Sequence, residues 1–192
     1  VRRQRQMCIR DRYMLSMAMT MLNNRLNELR QTANPPFTNA SAGYGEFFLA
    51  KTKEAFSLDA RSKVDGIDLA MKTVLEEAER ARRFGFTATE YERARANYMQ
   101  GVESAYNERE KTKSGSYVNE YVNNFLDKEP IPGIEFEYML TKQMAPNIPV
   151  EAINKMMQQL ITDNNQVVLL AGPEKEGVKY PTKEEIAALL KQ

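Results

Sequence analysis

This 192-residue sequence contains no histidine and a single cysteine, Cys8. Without imidazole, the chain lacks the commonest zinc ligand and the commonest general base near neutral pH. One cysteine can form neither a thiolate cluster nor a disulfide within the chain. A self-contained zinc site, a Ser-His-Asp triad and a Cys-His pair are therefore excluded. Carboxylates are plentiful, but no pair of them stands out from the surface pattern.

An excess of charge of one sign and long apolar runs are missing as well. The 27 basic and 26 acidic side chains give a formal net charge of +1. A nucleic-acid-binding protein usually carries a clear excess of basic side chains. No stretch approaches the roughly 20 apolar residues that cross a bilayer, since the Met-rich run at residues 14–22 is short and interrupted by Ser16 and Thr20. We therefore expect no nucleic-acid partner and no membrane span. The hydrophobic content of 42% is enough for one globular domain with a buried core.

The first twelve residues differ in character from the rest of the chain. They contain five arginines and the only cysteine, and they resemble the translated read-through of a sequencing adapter in assembled environmental DNA. We interpret residues 1–12 as a non-native segment and residues 13–192 as the native domain; the alternative is a genuine basic arm that binds anions. Without residues 1–12 the chain has 22 basic and 25 acidic side chains, and its formal charge becomes −3.

The residues that follow have the period of an amphipathic helix that runs to about Arg30. Its apolar positions recur at steps of three and four, at Leu15, Ala18, Met19, Leu22, Leu26 and Leu29. Asn34-Pro35-Pro36 then ends the helix. From residue 37 to residue 60 the helical period is lost and apolar residues come to alternate with polar ones. This pattern predicts two short strands in a hairpin.

The next region predicts two long helices joined by a tight turn. The first helix covers about residues 67–84 and ends at Gly85, where Phe86 is expected to close a Schellman-type cap. Thr87 and Glu90 have the spacing of a capping box, which opens the second helix. Shorter helices are predicted at residues 116–126, 133–144 and 150–161. A second capping box at residues 182–185 opens a final helix.

Residues 166–171 carry the clearest strand signal, an uncharged run rich in Val and Leu that is ended by Gly172-Pro173. Because the run is apolar on both faces, it predicts a central strand with neighbours on each side. The hairpin and this run give only three strands, which is too little sheet for a fully buried strand. The predicted fold is therefore α/β in the α+β sense. It is a helix-rich two-layer domain with a mostly antiparallel sheet, incomplete at the N-terminal end.

The order of these elements and several sequence segments resemble one protein family. The segments are Arg25-Leu26-Asn27-Glu28-Leu29-Arg30 with the hairpin from Phe37 to Phe48 after it, the strand with Ala55-Phe56-Ser57-Leu58, and the hinge Phe84-Gly85-Phe86-Thr87. Over about residues 13–192, the chain resembles a domain of the pitrilysin/insulinase zinc metallopeptidases. The match is to the non-catalytic domain that follows the zinc-bearing one.

The resemblance implies a clamshell of α/β domains. The first domain carries an inverted zinc motif, His-x-x-Glu-His, and the later domains complete a chamber around a peptide. This chain has no such motif, so the resemblance implies zinc in the catalytic domain of a longer parent protein and no cofactor here. The implied partners are the preceding catalytic domain and the following domains of the same polypeptide, together with a peptide substrate. Relatives also suggest an exported parent, periplasmic or secreted.

One pair of residues is carried over from the family by position. In some members the corresponding helix ends in Leu-Arg, and a Tyr seven residues later helps to hold substrate near the zinc. Leu29-Arg30 matches, but Phe37 stands in place of the Tyr, so the hydroxyl that would donate to a developing oxyanion is absent. Arg30 and Phe37 are the candidate substrate-binding residues, Phe37 only as an apolar wall. The alternative for Arg30 is a cation favoured by the helix dipole.

Two functions remain open at this point. The chain is either the non-catalytic domain of a zinc metallopeptidase, inactive when isolated, or a structural or partner-subunit homologue that kept the fold and lost catalysis. An intact His-x-x-Glu-His motif upstream in the same reading frame, or in a neighbouring gene, would favour the peptidase. A third class, an independent helical adaptor, is disfavoured by the strand signal at residues 166–171.

Overall fold

A computed structural model describes residues 2–47, 50–128, 130–173 and 180–190, with side chains at all of these except 2–8, 50–52, 64 and 127. Its described part is a helix-rich α+β structure, which confirms the predicted fold class. The elements are α1 (Arg2–Arg30), β1 (Asn39–Phe47), β2 (Ala50–Arg61), α2 (Ile67–Phe84), α3 (Ala88–Asn107), α4 (Val118–Asp127), α5 (Ile134–Met144), α6 (Val150–Leu160) and α7 (Lys183–Leu189). Short 3-10 turns lie at Val64–Gly66, Arg109–Lys111, Ser114–Tyr117 and Ala145–Asn147.

The chain divides into two compact units. Unit A contains residues up to 14 and residues 87–150, and unit B contains residues 15–86 and those from 151 onward. Unit A therefore holds α3, α4, α5 and the first part of α1, whereas unit B holds the rest of α1, the two strands, α2, α7 and nearly all of α6. Most of the buried apolar side chains of the described residues belong to unit B.

The core of unit B draws heavily on α1. Of the six apolar positions predicted to share one face of α1, three are buried, three are half-buried and none is exposed, as the periodicity predicted. The buried apolar residues of the unit are Met17, Ala18, Met21, Leu22, Leu26, Phe37, Ala42, Ala70, Val74, Ala78, Ala81, Phe86, Ile153 and Met157. Three of these are methionines, whose unbranched side chains fill irregular gaps between helices.

β1 and β2 pair as a two-stranded antiparallel sheet, which confirms the predicted hairpin. Both strands are longer than expected, and Phe48, the last residue quoted for the first of them, lies outside the described residues. Asn23 of α1 bonds both main-chain groups of Ala42 in β1. Its Nδ2 donates to the Ala42 carbonyl at 2.9 Å, and its Oδ1 accepts from the Ala42 N–H at 2.8 Å. This pair of hydrogen bonds ties α1 to the hairpin.

The end of α2 is held by a second asparagine. The N–H of Phe86 donates to Oδ1 of Asn154 at 2.8 Å, and Nδ2 of Asn154 donates to the Phe86 carbonyl at 3.1 Å. Arg25 donates from Nη2 to the Gly85 carbonyl at 2.9 Å, and its guanidinium lies 4.7 Å from the centroid of the Phe86 ring. Elements α1, α2 and α6 therefore meet at two consecutive residues.

The Schellman-type cap predicted at Phe86 is wrong, although α2 does end at Gly85. The Gly85 N–H keeps a helical bond to the Ala81 carbonyl, and Gly85 has a φ of +69°. The Phe86 N–H, which would return to the last turn in a Schellman motif, bonds Asn154 instead. A long-range side chain has replaced the local cap.

The remaining local signals are confirmed. Thr87 and Glu90 form the predicted capping box at the start of α3, and Thr182 and Glu185 form the one that opens α7. The three shorter helices appear as α4, α5 and α6, each within two residues of its predicted bounds. Capping residues and prolines therefore set these boundaries locally.

The central strand predicted at residues 166–171 is wrong for this chain. These residues form neither helix nor strand, and all of them are exposed. No main-chain hydrogen bond joins them to another residue in the part of the chain that the structure describes. A strand depends on pairing with a neighbour, and the described sheet consists of β1 and β2 only. The local preference for extended structure therefore finds no partner.

Residues 2–12 are helical and continuous with the rest of α1. Arg10, Asp11 and Arg12 are exposed, and Tyr13 is the first fully buried side chain of the described residues. The non-native origin of residues 1–12 stays a prediction. None of the described helices, α1 included, combines the length and the apolarity needed to span a membrane.

Candidate functional site

Arg30 is the last residue of α1, and its side chain is exposed. Its Nη1 donates to Oδ1 of Asn39 at 3.4 Å, a long hydrogen bond at the surface. The chain turns directly afterwards, where the Thr32 hydroxyl donates to the Leu29 carbonyl at 2.8 Å. The guanidinium thus lies at the negative end of the helix dipole, and its exposure leaves it accessible to a carboxylate or a carbonyl of a ligand.

Phe37, the other candidate, is 1% exposed and belongs to the core of unit B. The main chain beside it is fixed to β2, because the Thr38 N–H donates to the Arg61 carbonyl at 2.7 Å. The seven-residue spacing therefore places Arg30 at the surface and Phe37 inside, and it does not bring them to one surface. Packing is what the structure shows for Phe37, and its contact with a peptide stays a prediction.

Unit A contains a buried tyrosine cluster. The Tyr91 hydroxyl lies 2.9 Å from the Ile148 carbonyl and 3.0 Å from the Tyr13 hydroxyl. A carbonyl can only accept, so Tyr91 donates to Ile148 and Tyr13 donates to Tyr91. Tyr98 meets the Tyr13 ring edge-on, with 5.2 Å between ring centroids. The hydroxyls of Tyr13 and Tyr91 therefore form an ordered chain of hydrogen bonds.

The hydroxyls of this tyrosine cluster fit a structural role and not a catalytic one. Burial raises the pKa of the Tyr13 phenol above its ordinary value, and the hydrogen bond with Tyr91 raises it further. Burial also raises the pKa of Tyr98. Both phenols stay neutral near pH 7 and are poor proton donors to a substrate. The importance of Tyr13 was missed in the sequence, although its four-residue spacing from Met17 extends the apolar face of α1.

Glu137 on α5 is a half-buried carboxylate in unit A. Burial raises its pKa above the usual value, the charge of Glu120 raises it further, and the charge of Arg12 opposes them. Perturbed carboxylates are often found at functional sites. The groups that interact electrostatically with Glu137 are Glu120, Arg12 and Tyr98. This set fits a charge cluster at the surface.

We expect Glu137→Gln to stabilise the protein at neutral pH. Because the folded-state pKa is raised, the stability that the protonated carboxyl contributes is present at low pH. It is lost as the pH rises through the interval between the unfolded and the folded pKa. The neutral amide avoids this loss, and the gain should be at most about 1 kcal/mol, since solvent screens a half-buried group.

Thermal unfolding at pH 4 and pH 7 measures the effect of Glu137→Gln. The variant should have the higher Tm at pH 7, and the difference should shrink at pH 4. Glu92→Gln, at an exposed position of α3, is the control and should change Tm little at either pH. An unchanged Tm of Glu137→Gln at pH 7 would contradict the cost assigned to the buried charge.

Metal ligation is not supported by the described residues. Among them, no group of three or more His, Cys, Asp or Glu side chains could hold a metal ion. The acidic residues of α2 form ion pairs instead: Glu77 lies 3.3 Å from Nη1 of Arg80, and Glu79 binds Arg82 and Arg83. The hydrogen bond from Arg82 holds the pKa of Glu79 below its usual value. The donor set of the described residues therefore does not fit zinc.

The most prominent exposed apolar surface of unit A lies on α4. One face of this helix, called the α4 face below, consists of Val118, Tyr121, Val122, Phe125 and Leu126, all exposed. The opposite face carries Asn119, Glu120, Asn123 and Asn124. Amphipathic helices normally bury such an apolar face, and contiguous apolar surface marks interaction sites. The sequence predicted this helix, but its exposure could not be read from a pattern that is equally typical of core packing.

No family model matches the sequence. A stretch of 95 residues, 50% of the chain, is 37% identical to the zinc protease PQQL-like of Arabidopsis thaliana. That stretch corresponds to 10% of the length of the plant protein.

Solved structures extend the similarity to nearly the whole chain. The periplasmic protease PqqL from Escherichia coli matches with a TM-score of 0.76 and 20% identity, covering 94% of this chain and 20% of PqqL. The first half of PqqL, solved separately, matches with a TM-score of 0.71 and 19% identity over 81% of this chain and 33% of that one. A predicted insulinase family protease from Yersinia pestis matches with a TM-score of 0.67 and 12% identity over 80% and 33%. The chain thus spans between a tenth and a third of the proteins to which it is similar.

Proposed function

We infer that this chain, a domain of the pitrilysin/insulinase family of proteases, packs on the catalytic domain of a longer zinc metallopeptidase and helps to enclose its peptide substrate. It would supply no catalytic residue and no zinc ligand. Its place would be directly after the catalytic domain, as the second domain of the parent, and its similarity to the first half of PqqL supports a position in the first half of the parent.

The observation that carries this proposal is the exposed α4 face. Its five apolar side chains include two aromatic residues, Tyr121 and Phe125, and aromatic residues dominate the energetics of protein interfaces. A domain that functions alone normally buries such a face. A larger polypeptide, of which this chain is a part, offers the surface that would cover it.

The role in peptide enclosure rests on Arg30. Its guanidinium is exposed at the end of α1, and arginine binds carboxylates and carbonyls through several N–H donors. The contact of Phe37 with the peptide is the other part of this proposal and rests on its position seven residues after Arg30, since its side chain is buried. Zinc would lie in the preceding domain, as the similarity to a zinc protease suggests for the parent protein.

Polar substitution of the α4 face should weaken the packing of this domain on the catalytic domain. In the parent protein, Tyr121→Ser combined with Phe125→Ser should lower kcat/KM for a fluorogenic peptide by about tenfold or more. Loss of aromatic anchors typically costs more than about 1 kcal/mol each, and 1.4 kcal/mol is a factor of ten. Limited proteolysis should cut the double variant faster between its domains.

Asn123→Ser on the opposite face of α4 is the matched control and should leave hydrolysis unchanged. If the double variant hydrolyses peptide as fast as this control, the α4 face does not pack on the catalytic domain and the proposal fails.

The alternative function is a structural or partner-subunit homologue that has lost catalysis. The described residues contain no group of side chains that could hold a metal ion, which is compatible with either function. The sequence upstream of this chain separates the two functions. An intact His-x-x-Glu-His motif in the same reading frame, or in a neighbouring gene, supports the peptidase, and its absence contradicts it.

A further inference from the structure

Residues 166–171, called the 166–171 segment here, are held at both ends but unpaired between them. Asn165, which directly precedes the segment, has a φ of +57°. Gln166, the first residue of the segment, donates from its side-chain Nε2 to the Thr162 carbonyl at 3.0 Å. After it, the Tyr180 hydroxyl donates to the Pro173 carbonyl at 2.7 Å. The main-chain groups of the segment bond no other described residue. Contacts at its two ends therefore fix the position of the segment, but no described strand pairs with it.

The exposure of its side chains has the period of a strand. Val167 and Leu169 are 71% and 78% exposed, whereas Val168 and Leu170 are 44% and 38% exposed. Alternation with a period of two is what extended backbone produces, with successive side chains on opposite faces. Both faces are apolar, so the segment has the character of a strand that is covered on each side.

The segment also lacks the features that protect a free edge strand. Natural edges carry charges, prolines or bulges that prevent pairing with another chain. β2 follows this rule with Lys53, Glu54 and Asp59, all exposed. The 166–171 segment contains no charged residue and no proline. Its sequence is therefore suited to the interior of a sheet and unsuited to the exposure it has in this chain.

We propose that the 166–171 segment is an inner strand of a sheet that is completed by β-strands, one at each of its edges, from parts of the parent polypeptide outside these 192 residues. PqqL aligns with 94% of this chain through 20% of its own length, so about four fifths of a similar polypeptide is available to supply those strands. The two incoming strands together pair with the free N–H and C=O groups of residues 167–170, each strand with the groups on one edge. Apolar side chains from the same polypeptide cover Val167 and Leu169.

A second copy of the chain fits the segment less well. An isologous pair of identical strands joins one edge of each and leaves the other edge of both strands open, with no charge to protect it. The pairing is also independent of catalysis. It holds in an active peptidase and in a homologue that has lost its zinc motif, so it and the proposed function can fail separately.

Amide hydrogen exchange tests the pairing without any substitution. It is measured on the 192-residue chain and on the parent polypeptide encoded by the complete reading frame. The amides of residues 167–170 should exchange at nearly unprotected rates in the 192-residue chain and at least about a hundredfold more slowly in the parent. Amides within the β1–β2 ladder, such as that of Ser57, should be protected in both and serve as the internal reference.

Each other outcome overturns the proposal. Fast exchange in both proteins means that the segment is not a strand in the parent. Slow exchange in the 192-residue chain while sedimentation shows a monomer means that the partner lies within this chain. Slow exchange that appears with a dimer at high concentration means that the partner is a second copy.

A proline variant gives a second readout. Val168→Pro removes one N–H from the segment and fixes its φ. It should leave the Tm of the 192-residue chain within about 1 °C, because that N–H is unpaired there, and it should lower the Tm of the parent clearly. Equal effects on the two proteins would contradict the pairing even if the exchange of residues 167–170 were slow in the parent.

Discussion

Phe37→Ala should lower the free energy of unfolding by about 3–5 kcal/mol, the usual cost of deleting a buried phenylalanine. Phe37 is 1% exposed and lies among the buried side chains of unit B. Its main chain is fixed by the bond between Thr38 and Arg61, so the surrounding structure has little freedom to collapse into the cavity. Urea unfolding, compared at equal m-values, measures the loss.

Phe84→Ala is the matched control for Phe37→Ala. Phe84 is the last residue of α2 and is 81% exposed, so its removal should change the free energy of unfolding by less than about 0.5 kcal/mol. A cost for Phe37→Ala as small as this would contradict the buried position. It would favour the peptide-contact role that the sequence assigns to Phe37.

Gly85→Ala should cost about 3 kcal/mol or more. A methyl group at this position would lie 2.3 Å from Cγ of Asn154, 2.5 Å from its Nδ2 and 2.6 Å from its Oδ1. The Asn154 side chain cannot move aside without breaking its two bonds to Phe86, and each unsatisfied buried group costs about 1–3 kcal/mol. The φ of +69° with a ψ of −157° lies in a region that is essentially restricted to glycine, and it adds roughly 1–3 kcal/mol for a residue with a Cβ.

A double-mutant cycle isolates this mechanism. Asn154→Ala alone should cost about 2–4 kcal/mol, since it leaves both main-chain groups of Phe86 without the partner they have now. In the Asn154→Ala background, Gly85→Ala should then cost only the roughly 1–3 kcal/mol of backbone strain. Gln158→Ala, at an exposed position of α6, is the control for the loss of a polar side chain. Additive costs for Gly85→Ala and Asn154→Ala would show that the clash with Asn154 is not the cause.

The sequence predicts the helices well because their signals are local. The four-residue spacing in α1, the glycine after α2 and the Thr-x-x-Glu boxes of α3 and α7 each act within a few residues. These features depend on no distant part of the chain, so they were confirmed even where the surroundings differ from expectation. The hairpin could be predicted for the same reason, since its two strands are neighbours in sequence.

The failures have a common physical cause in long-range pairing. The cap at Phe86 depends on Asn154, 68 residues away, and no local pattern reveals such a partner. The substrate-binding roles of Arg30 and Phe37 stay predictions, because the spacing that suggested them does not determine which side chain faces the core. The sequence of the 166–171 segment favours extended structure, but this preference produces a strand only when a neighbouring strand is present.

The contact between Asn23 and Ala42 also selects the register of the hairpin. In an antiparallel pair, only alternate residues direct both main-chain groups away from the partner strand. A shift of β1 by one residue would present Ser41 or Gly43 to α1, with N–H and C=O turned toward β2, and Asn23 would lose both bonds. At Ala42, α1 occupies the main-chain N–H and C=O groups that a neighbouring strand would otherwise pair with. This position of the β1 edge is therefore closed to the addition of another molecule. Correct alignment of the two strands is therefore specified partly by α1, which is complete in sequence before either strand begins.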